Sequence, residues 1–170
     1  LKSPTVSKLF GEEAYAVAAE TFAQADELLG FKLSTLCFDG PAERLNATDI
    51  QQPAIFTTSV ALFRAAVDAG RFAADSFDAL GGLSLGEYTA LHLAGAISFP
   101  DALRLVYRRG QLMQQAAEQS PGGMVSLLGG DEEKVLGLCE RVRDQGIVGP
   151  ANFNCPGQVV ISGDKRACEA

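Results

Sequence analysis

The run Gly82-Leu83-Ser84-Leu85-Gly86-Glu87 sets a serine between two glycines, each two positions away. G-x-S-x-G at a strand-to-helix turn is a nucleophile elbow. Its glycines permit a backbone turn too tight for a Cβ, and the turn lifts the serine hydroxyl into the open. The Leu85 amide, opening the helix that follows, can then point at a developing oxyanion. The chemistry that fits is acyl transfer, with Ser84 as nucleophile and the Leu85 N–H as oxyanion donor. In a chain with 18 glycines the bare pattern arises by chance about one time in ten. The apolar stretch before it and the helical pattern after it sharpen the signal. A glycine-rich strand–helix turn with Ser84 as a helix cap is the plain structural alternative.

The second candidate is Arg109. On a helical wheel with about 100° per residue and Val106 at zero, Leu103, Gly110, Met113 and Ala117 fall within about 60° and define an apolar face. Arg104 and Arg108 fall about 160° away, on the solvated side. Arg109 falls about 60° away, at the edge of the apolar stripe. A guanidinium against an apolar wall needs a partner, and its planar fork suits a carboxylate. A snorkelling arginine or an internal salt bridge satisfies the same pattern.

The single histidine, His92, is no base for Ser84. Eight residues along one helix is about 12 Å of rise, beyond hydrogen-bond reach. Cys37, Cys139, Cys155 and Cys168 form no C-x-x-C pair. With one histidine they make no zinc site, and they read as reduced thiols, mostly packing residues, of a cytoplasmic protein.

These residues need elements to hold them. Tyr15, Ala18, Phe22, Ala25 and Leu29 predict a helix over 11–29, closed by Gly30. Residues 31–52 read as mixed and loop-like. A second helix follows Pro53, with Phe56, Ser59, Phe63, Ala66 and Val67 inward and Gly70 as its stop. Phe77 to Leu80 reads as a short buried strand running into the elbow, and a third helix ends near Gly95. Ser98-Phe99-Pro100-Asp101 opens a fourth, to about Gln119. Pro121-Gly122-Gly123 then breaks the chain and predicts two parts, 1–121 and 122–170.

The second part has another rhythm. Met124 to Leu128 reads as a strand. Asp131 to Arg143 reads as a helix with Val135, Leu138, Cys139 and Val142 inward. Ile147 to Phe153 and Val159 to Ser162 are strands about a Cys155-Pro156-Gly157 turn, and Asp164 caps a last helix. The order β-α-β-β-α is a ferredoxin-like unit without its final strand. A helix so short past its cap is marginal alone, so the sequence reads as a fragment.

The chain has 170 residues, 14 Lys plus Arg and 21 Asp plus Glu, for a net charge of −7. This acidic balance argues against nucleic acid as a partner and gives no pull toward anionic membranes. No apolar run is long enough to span a bilayer, and the first residues lack a signal-peptide pattern.

Taken together, Gly82-Leu83-Ser84-Leu85-Gly86-Glu87-Tyr88 and Arg108-Arg109-Gly110-Gln111-Leu112-Met113-Gln114 resemble motifs of the malonyl-CoA:acyl carrier protein transacylases. So do Asn152-Phe153-Asn154-Cys155-Pro156-Gly157-Gln158-Val159, Leu45-Asn46-Ala47-Thr48 with Gln52-Pro53-Ala54, and Ala25-Asp26 with Leu29-Gly30. The resemblance runs from about residue 11 to the end. It implies an α/β chain: an α/β-hydrolase-like acyltransferase core with a nucleophile elbow, plus an incomplete ferredoxin-like small subdomain. It implies transfer of malonyl from coenzyme A to acyl carrier protein in fatty acid biosynthesis, with no metal and no bound cofactor. Ser84 would carry the acyl group, Leu85 would hold the oxyanion, and Arg109 would clamp the malonyl carboxylate. Met113, Asn152 and Asn154 would contact the substrate. Arg104 and Arg108, or Arg141 and Arg143, would offer basic patches to the acidic carrier protein.

Two departures stand out. Leu83 occupies a position that is usually His or Gln in the family. The family's glutamine loop and its catalytic histidine segment have no counterpart in this sequence. A serine hydrolase would share the elbow but leaves Arg109 without a purpose, and a non-catalytic acyltransferase-like fragment fits the missing base.

Overall fold

The computed structural model describes residues 12–120 and 122–170. Its contacts divide the chain into two units, with the division after Gln114. Helices and a small sheet together make the chain α/β.

The first unit is built from helices. Helix α1 spans Glu12–Leu29, α2 Leu33–Asp39, α3 Ala42–Leu45, α4 Thr48–Asp68, α5 Leu85–Leu93 and α6 Phe99–Gln119. Gly30 closes α1 at φ 74° and Gly70 follows α4 at φ 64°, as their positions in the sequence predict. Small residues let α1 lie close along α4: Ala18 and Phe22 pack with Ala61 and Ala65. The main core joins Ala25, Leu33, Ile50, Ala54, Phe56, Val60, Phe99, Ala102, Leu103 and Val106. Phe56 stacks on Phe99, with ring centroids 5.5 Å apart. The turn from α1 to α2 is tied by the buried Asp26, whose carboxylate accepts from Ser34 N (2.9 Å) and Ser34 Oγ (2.7 Å). Lys32 Nζ lies 3.4 Å from the same group, so the buried charge is fully compensated.

Four expectations for this unit are corrected. The segment 31–52 is not loop-like, since it holds α2, α3 and the start of α4. Helix α4 begins at Thr48, not after Pro53; Pro53 is its sixth residue and Gln52 is helical. No strand forms over Phe77 to Leu80, and Phe77 and Leu80 are 44% and 37% exposed. A strand is held by a neighbour's backbone, and the three-stranded sheet of the second unit holds every described strand. On α6 the buried stripe stops at Gly110, so Met113 and Ala117 are exposed instead of inward.

The second unit carries β1 (Gly122–Leu128), α7 (Glu132–Arg141), β2 (Val148–Cys155), β3 (Gln158–Asp164) and α8 (Lys165–Glu169). The strands lie in the order β1-β3-β2, both pairs antiparallel, with Val125 opposite Ile161. Pro150 sits in β2 at the sheet edge, where a missing N–H is tolerated. Val135 and Cys139 of α7 pack on Val159 and Ile161, while Leu138, expected inward, is exposed. Asp131, expected as the first helical residue, instead caps α7, accepting from Lys134 N at 2.9 Å. Asp164 stands at the start of α8 but does not cap it by side chain. Its Oδ2 accepts instead from Ile147 N at 2.7 Å, and its own N–H donates to Ile147 O at 2.7 Å. That reciprocal clasp fixes the entry of β2.

Candidate active site

Ser84 stands at φ 54°, ψ −103°, at the N-terminus of α5. It is the one non-glycine residue with positive φ among the described residues. Such backbone is costly for an L-residue and persists where the surroundings enforce it. Here the enforcement is local. Leu83 O accepts from Gly86 N at 2.9 Å, and Ser84 O accepts from Glu87 N at 3.3 Å. A Cβ on Gly82 would overlap the Gly86 carbonyl and the Glu87 amide, so only glycine fits there. The sharp turn of a nucleophile elbow is therefore present, though no strand leads into it. Ser84 is exposed, and the Leu83 side chain beside it is 64% exposed. Leu85 is the first residue of α5, so its N–H has no carbonyl one turn back to accept it. A backbone donor at a helix start beside an exposed hydroxyl can hold an oxyanion.

Arg109 reaches this turn from α6. Its Nη2 donates to Ser84 Oγ at 2.6 Å, and its Nη1 donates to Gln52 Oε1. Its Cζ lies 5.9 Å from the centre of the Tyr88 ring. Gln52 is buried and donates in turn through Nε2 to Met113 Sδ at 3.2 Å. Met113, Gln52, Arg109 and Ser84 thus form one chain of contacts. Gly110 makes the approach possible: a Cβ there would sit 2.7 Å from Thr48 O and 3.0 Å from Asp49 Cα. The backbones of α6 and α4 meet at that point, which brings Arg109 level with Gln52. Arg44 holds the same end of α4 through two 2.9 Å bonds to the Asp49 carboxylate. Among the described residues no carboxylate pairs with Arg109.

His92 does structural work. Its Nδ1 lies 3.0 Å from Ile97 O and its ring packs on Phe56 and Phe99. Asn152 and Asn154 lie in the second unit, on β2. Asn152 is opposite Val160, and the Asn154 Oδ1 is buried with no hydrogen-bond partner. Of the basic residues, Arg104 lies 3.5 Å from Asp101, Arg108 donates to Gln111 and Arg143 to Glu140, while Arg141 is exposed.

Gln52, Gly110 and Tyr88 are the contributors that the sequence left without a role. The signal for Gln52 was hidden by the position given to the start of its helix. Once α4 starts at Thr48, Gln52 and Phe56 fall four apart on its buried side.

A strained serine at a helix start, with an arginine fork on its hydroxyl, is more than a glycine-rich turn requires. The chain belongs to the family described as acyl transferase domain, which residues 8–170 match. It is 45% identical over 168 residues to the malonyl CoA-acyl carrier protein transacylase of Escherichia coli K12, covering 98% of this chain and 53% of that one. The structure of an acyl carrier protein S-malonyltransferase from Vibrio cholerae matches with a TM-score of 0.82 and 46% identity, over 92% of this chain and 50% of that one. A malonyl-transacylase solved in complex with a type II PKS acyl-carrier protein matches with a TM-score of 0.83 and 44% identity, over 92% and 50%. The chain spans about half the length of the curated relatives it matches.

Proposed function

We propose that this chain is the nucleophile-bearing part of a malonyl-CoA:acyl carrier protein transacylase, acting in fatty acid biosynthesis in the cytoplasm. The observation that carries this reading is the 2.6 Å contact between Arg109 Nη2 and Ser84 Oγ. It sets a fork suited to a carboxylate at the hydroxyl suited to a thioester. Malonyl is the acyl group that presents both. Ser84 Oγ bonds to the thioester carbonyl carbon, the carbon–sulfur bond breaks, and coenzyme A leaves as its thiol. The hydroxyl proton passes to a general base, which His92 is not. The Leu85 N–H receives the negative charge of the tetrahedral intermediate. The phosphopantetheine thiol of acyl carrier protein then takes the malonyl group by the reverse steps. No metal or redox cofactor enters this sequence of steps.

In this reading Met113 supports the site through Gln52. Arg104, Arg108, Arg141 and Arg143 are the basic candidates for carrier-protein docking. The helical first unit forms part of an α/β-hydrolase-like core over 1–121. The second, over 122–170, is a ferredoxin-like subdomain, supported by the strand order β1-β3-β2 with the helices between and after the strands. A plain serine hydrolase would not need Arg109 at its nucleophile.

The test is intact mass spectrometry of the complete natural polypeptide after incubation with malonyl-CoA. A single malonyl adduct, absent in Ser84→Ala, is expected. Arg109→Ala should lose malonyl loading while accepting acetyl-CoA; equal loss of both donors would remove the clamp, and no adduct at all would remove the transferase reading.

A further inference from the structure

The fork of Arg109 is already engaged. Nη1 is held by Gln52 Oε1 and Nη2 by Ser84 Oγ. The second contact places a cation's N–H on the oxygen that must attack. Donation into that oxygen withdraws electron density from its lone pairs and fills the space beside it. A hydroxyl is a neutral acceptor, whereas a carboxylate is an ionised one whose geometry matches the guanidinium fork. The two Arg109 contacts also differ in kind. Gln52 is buried and tied onward to Met113, whereas Ser84 is exposed. An acceptor arriving from solvent therefore displaces Ser84 before it displaces Gln52.

We infer that Arg109 holds the Ser84 hydroxyl in check until a substrate carboxylate takes over its Nη2, so that a carboxylated acyl group releases the nucleophile that will attack it. This rests on the transferase reading of the site and deepens it. Selection against acetyl then has two parts. An acetyl thioester forgoes the binding energy of the clamp, and it also meets a serine still bonded to Arg109. Such discrimination acts on the rate of acylation as well as on affinity. Gln52 is the positioning residue in this arrangement: it keeps the guanidinium in place while the other nitrogen changes partner.

The test uses a neutral electrophile that carries no carboxylate. Phenylmethylsulfonyl fluoride sulfonylates the serine oxygen with net loss of hydrogen fluoride. The complete natural polypeptide is labelled with and without free malonate, and Ser84 modification is followed by peptide mass spectrometry. Malonate should raise the labelling rate roughly tenfold or more, the scale of one lost hydrogen bond to a charged group. Dimethyl malonate, which has no carboxylate, should leave the rate unchanged. Arg109→Gln should label faster than wild type without malonate and should not respond to it. Wild-type labelling that malonate slows or leaves unchanged overturns the proposal, and this arm needs no variant to fold. Malonate acceleration that persists in R109Q, or R109Q labelled no faster than wild type, overturns it as well. Malonyl-CoA loading is read in parallel. An adduct without malonate acceleration removes the release step and keeps the transferase; acceleration without an adduct does the reverse.

Discussion

Arg109 and Gln52, 57 residues apart in the chain, meet through a hydrogen bond from the Arg109 Nη1 to the side-chain oxygen of Gln52. The bond fixes one side of the guanidinium and leaves the other directed at Ser84. Gln52→Ala should lower kcat/KM for malonyl-CoA at least about tenfold, the lower range for a hydrogen bond to a charged partner. Gln52→Glu keeps an oxygen within reach but pairs the cation with a competing carboxylate, and it should lose a similar amount. Steady-state transfer kinetics decide this, and wild-type activity in Q52E would show that the anchor need not be neutral.

Gly110 is the point at which α6 passes the start of α4. Gly110→Ala should destabilise the fold by about 1–2 kcal/mol, because overpacking against Thr48 O outweighs the gain in helix propensity. Thermal denaturation reads the loss. Malonyl loading should fall with it, since the displaced helix carries Arg109. A variant as stable and as active as wild type would mean that the two backbones have room to part.

Ser84 and glycine compete for the same backbone. At φ 54° and ψ −103° a Cβ is strained, whereas glycine is not. Ser84→Gly and Ser84→Ala both remove the hydroxyl and its bond to Arg109. S84G should nonetheless be more stable than S84A by about 1 kcal/mol. Equal melting temperatures would place the strain elsewhere.

Cys37 titrates late. Burial, and then the nearby Asp26 carboxylate, push its thiol up to about 11 from 9.0. The neutral thiol is the form that the fold favours. Its contribution is complete below pH 9.0 and falls away as pH rises toward 11, where the unfolded chain releases the proton first. Cys37→Ala should therefore flatten the decline in stability between those values, as read by denaturant unfolding at a series of pH values. A decline as steep as wild type would assign the effect to other groups. Alkylation of Cys37 in the folded protein at pH 7.5 should be slow for the same reason.

What the sequence disclosed depended on the range of the forces involved. The glycine stops and the first strand of the second unit are local, and they appear where the sequence predicts them. The elbow is local too, since Gly82, Ser84 and Gly86 enforce it among themselves. The segment Phe77 to Leu80 has an apolar strand composition, but pairing is a property of two segments, and no described segment pairs with it as a strand. Gln52 needed a helix start that Pro53 disguised, because a proline at the sixth position imitates one at the first. Asp164 stands where a cap belongs and is drawn instead to a backbone amide 17 residues earlier, a contact that no local pattern announces.

The amide anchor of Arg109 has an electrostatic consequence. Glutamine steadies a guanidinium without discharging it, so a full positive charge stands at Ser84 in a chain whose net charge is −7. At physiological salt, fields fade over about 8 Å. On the transferase reading, malonyl-CoA, polyanionic through its phosphates and its carboxylate, is repelled weakly by the distant surface and attracted by the Arg109 cation at the turn. The acidic exterior and the anion-seeking site are thereby reconciled by screening, and raising the salt should weaken capture at the site less than it relieves repulsion at the surface.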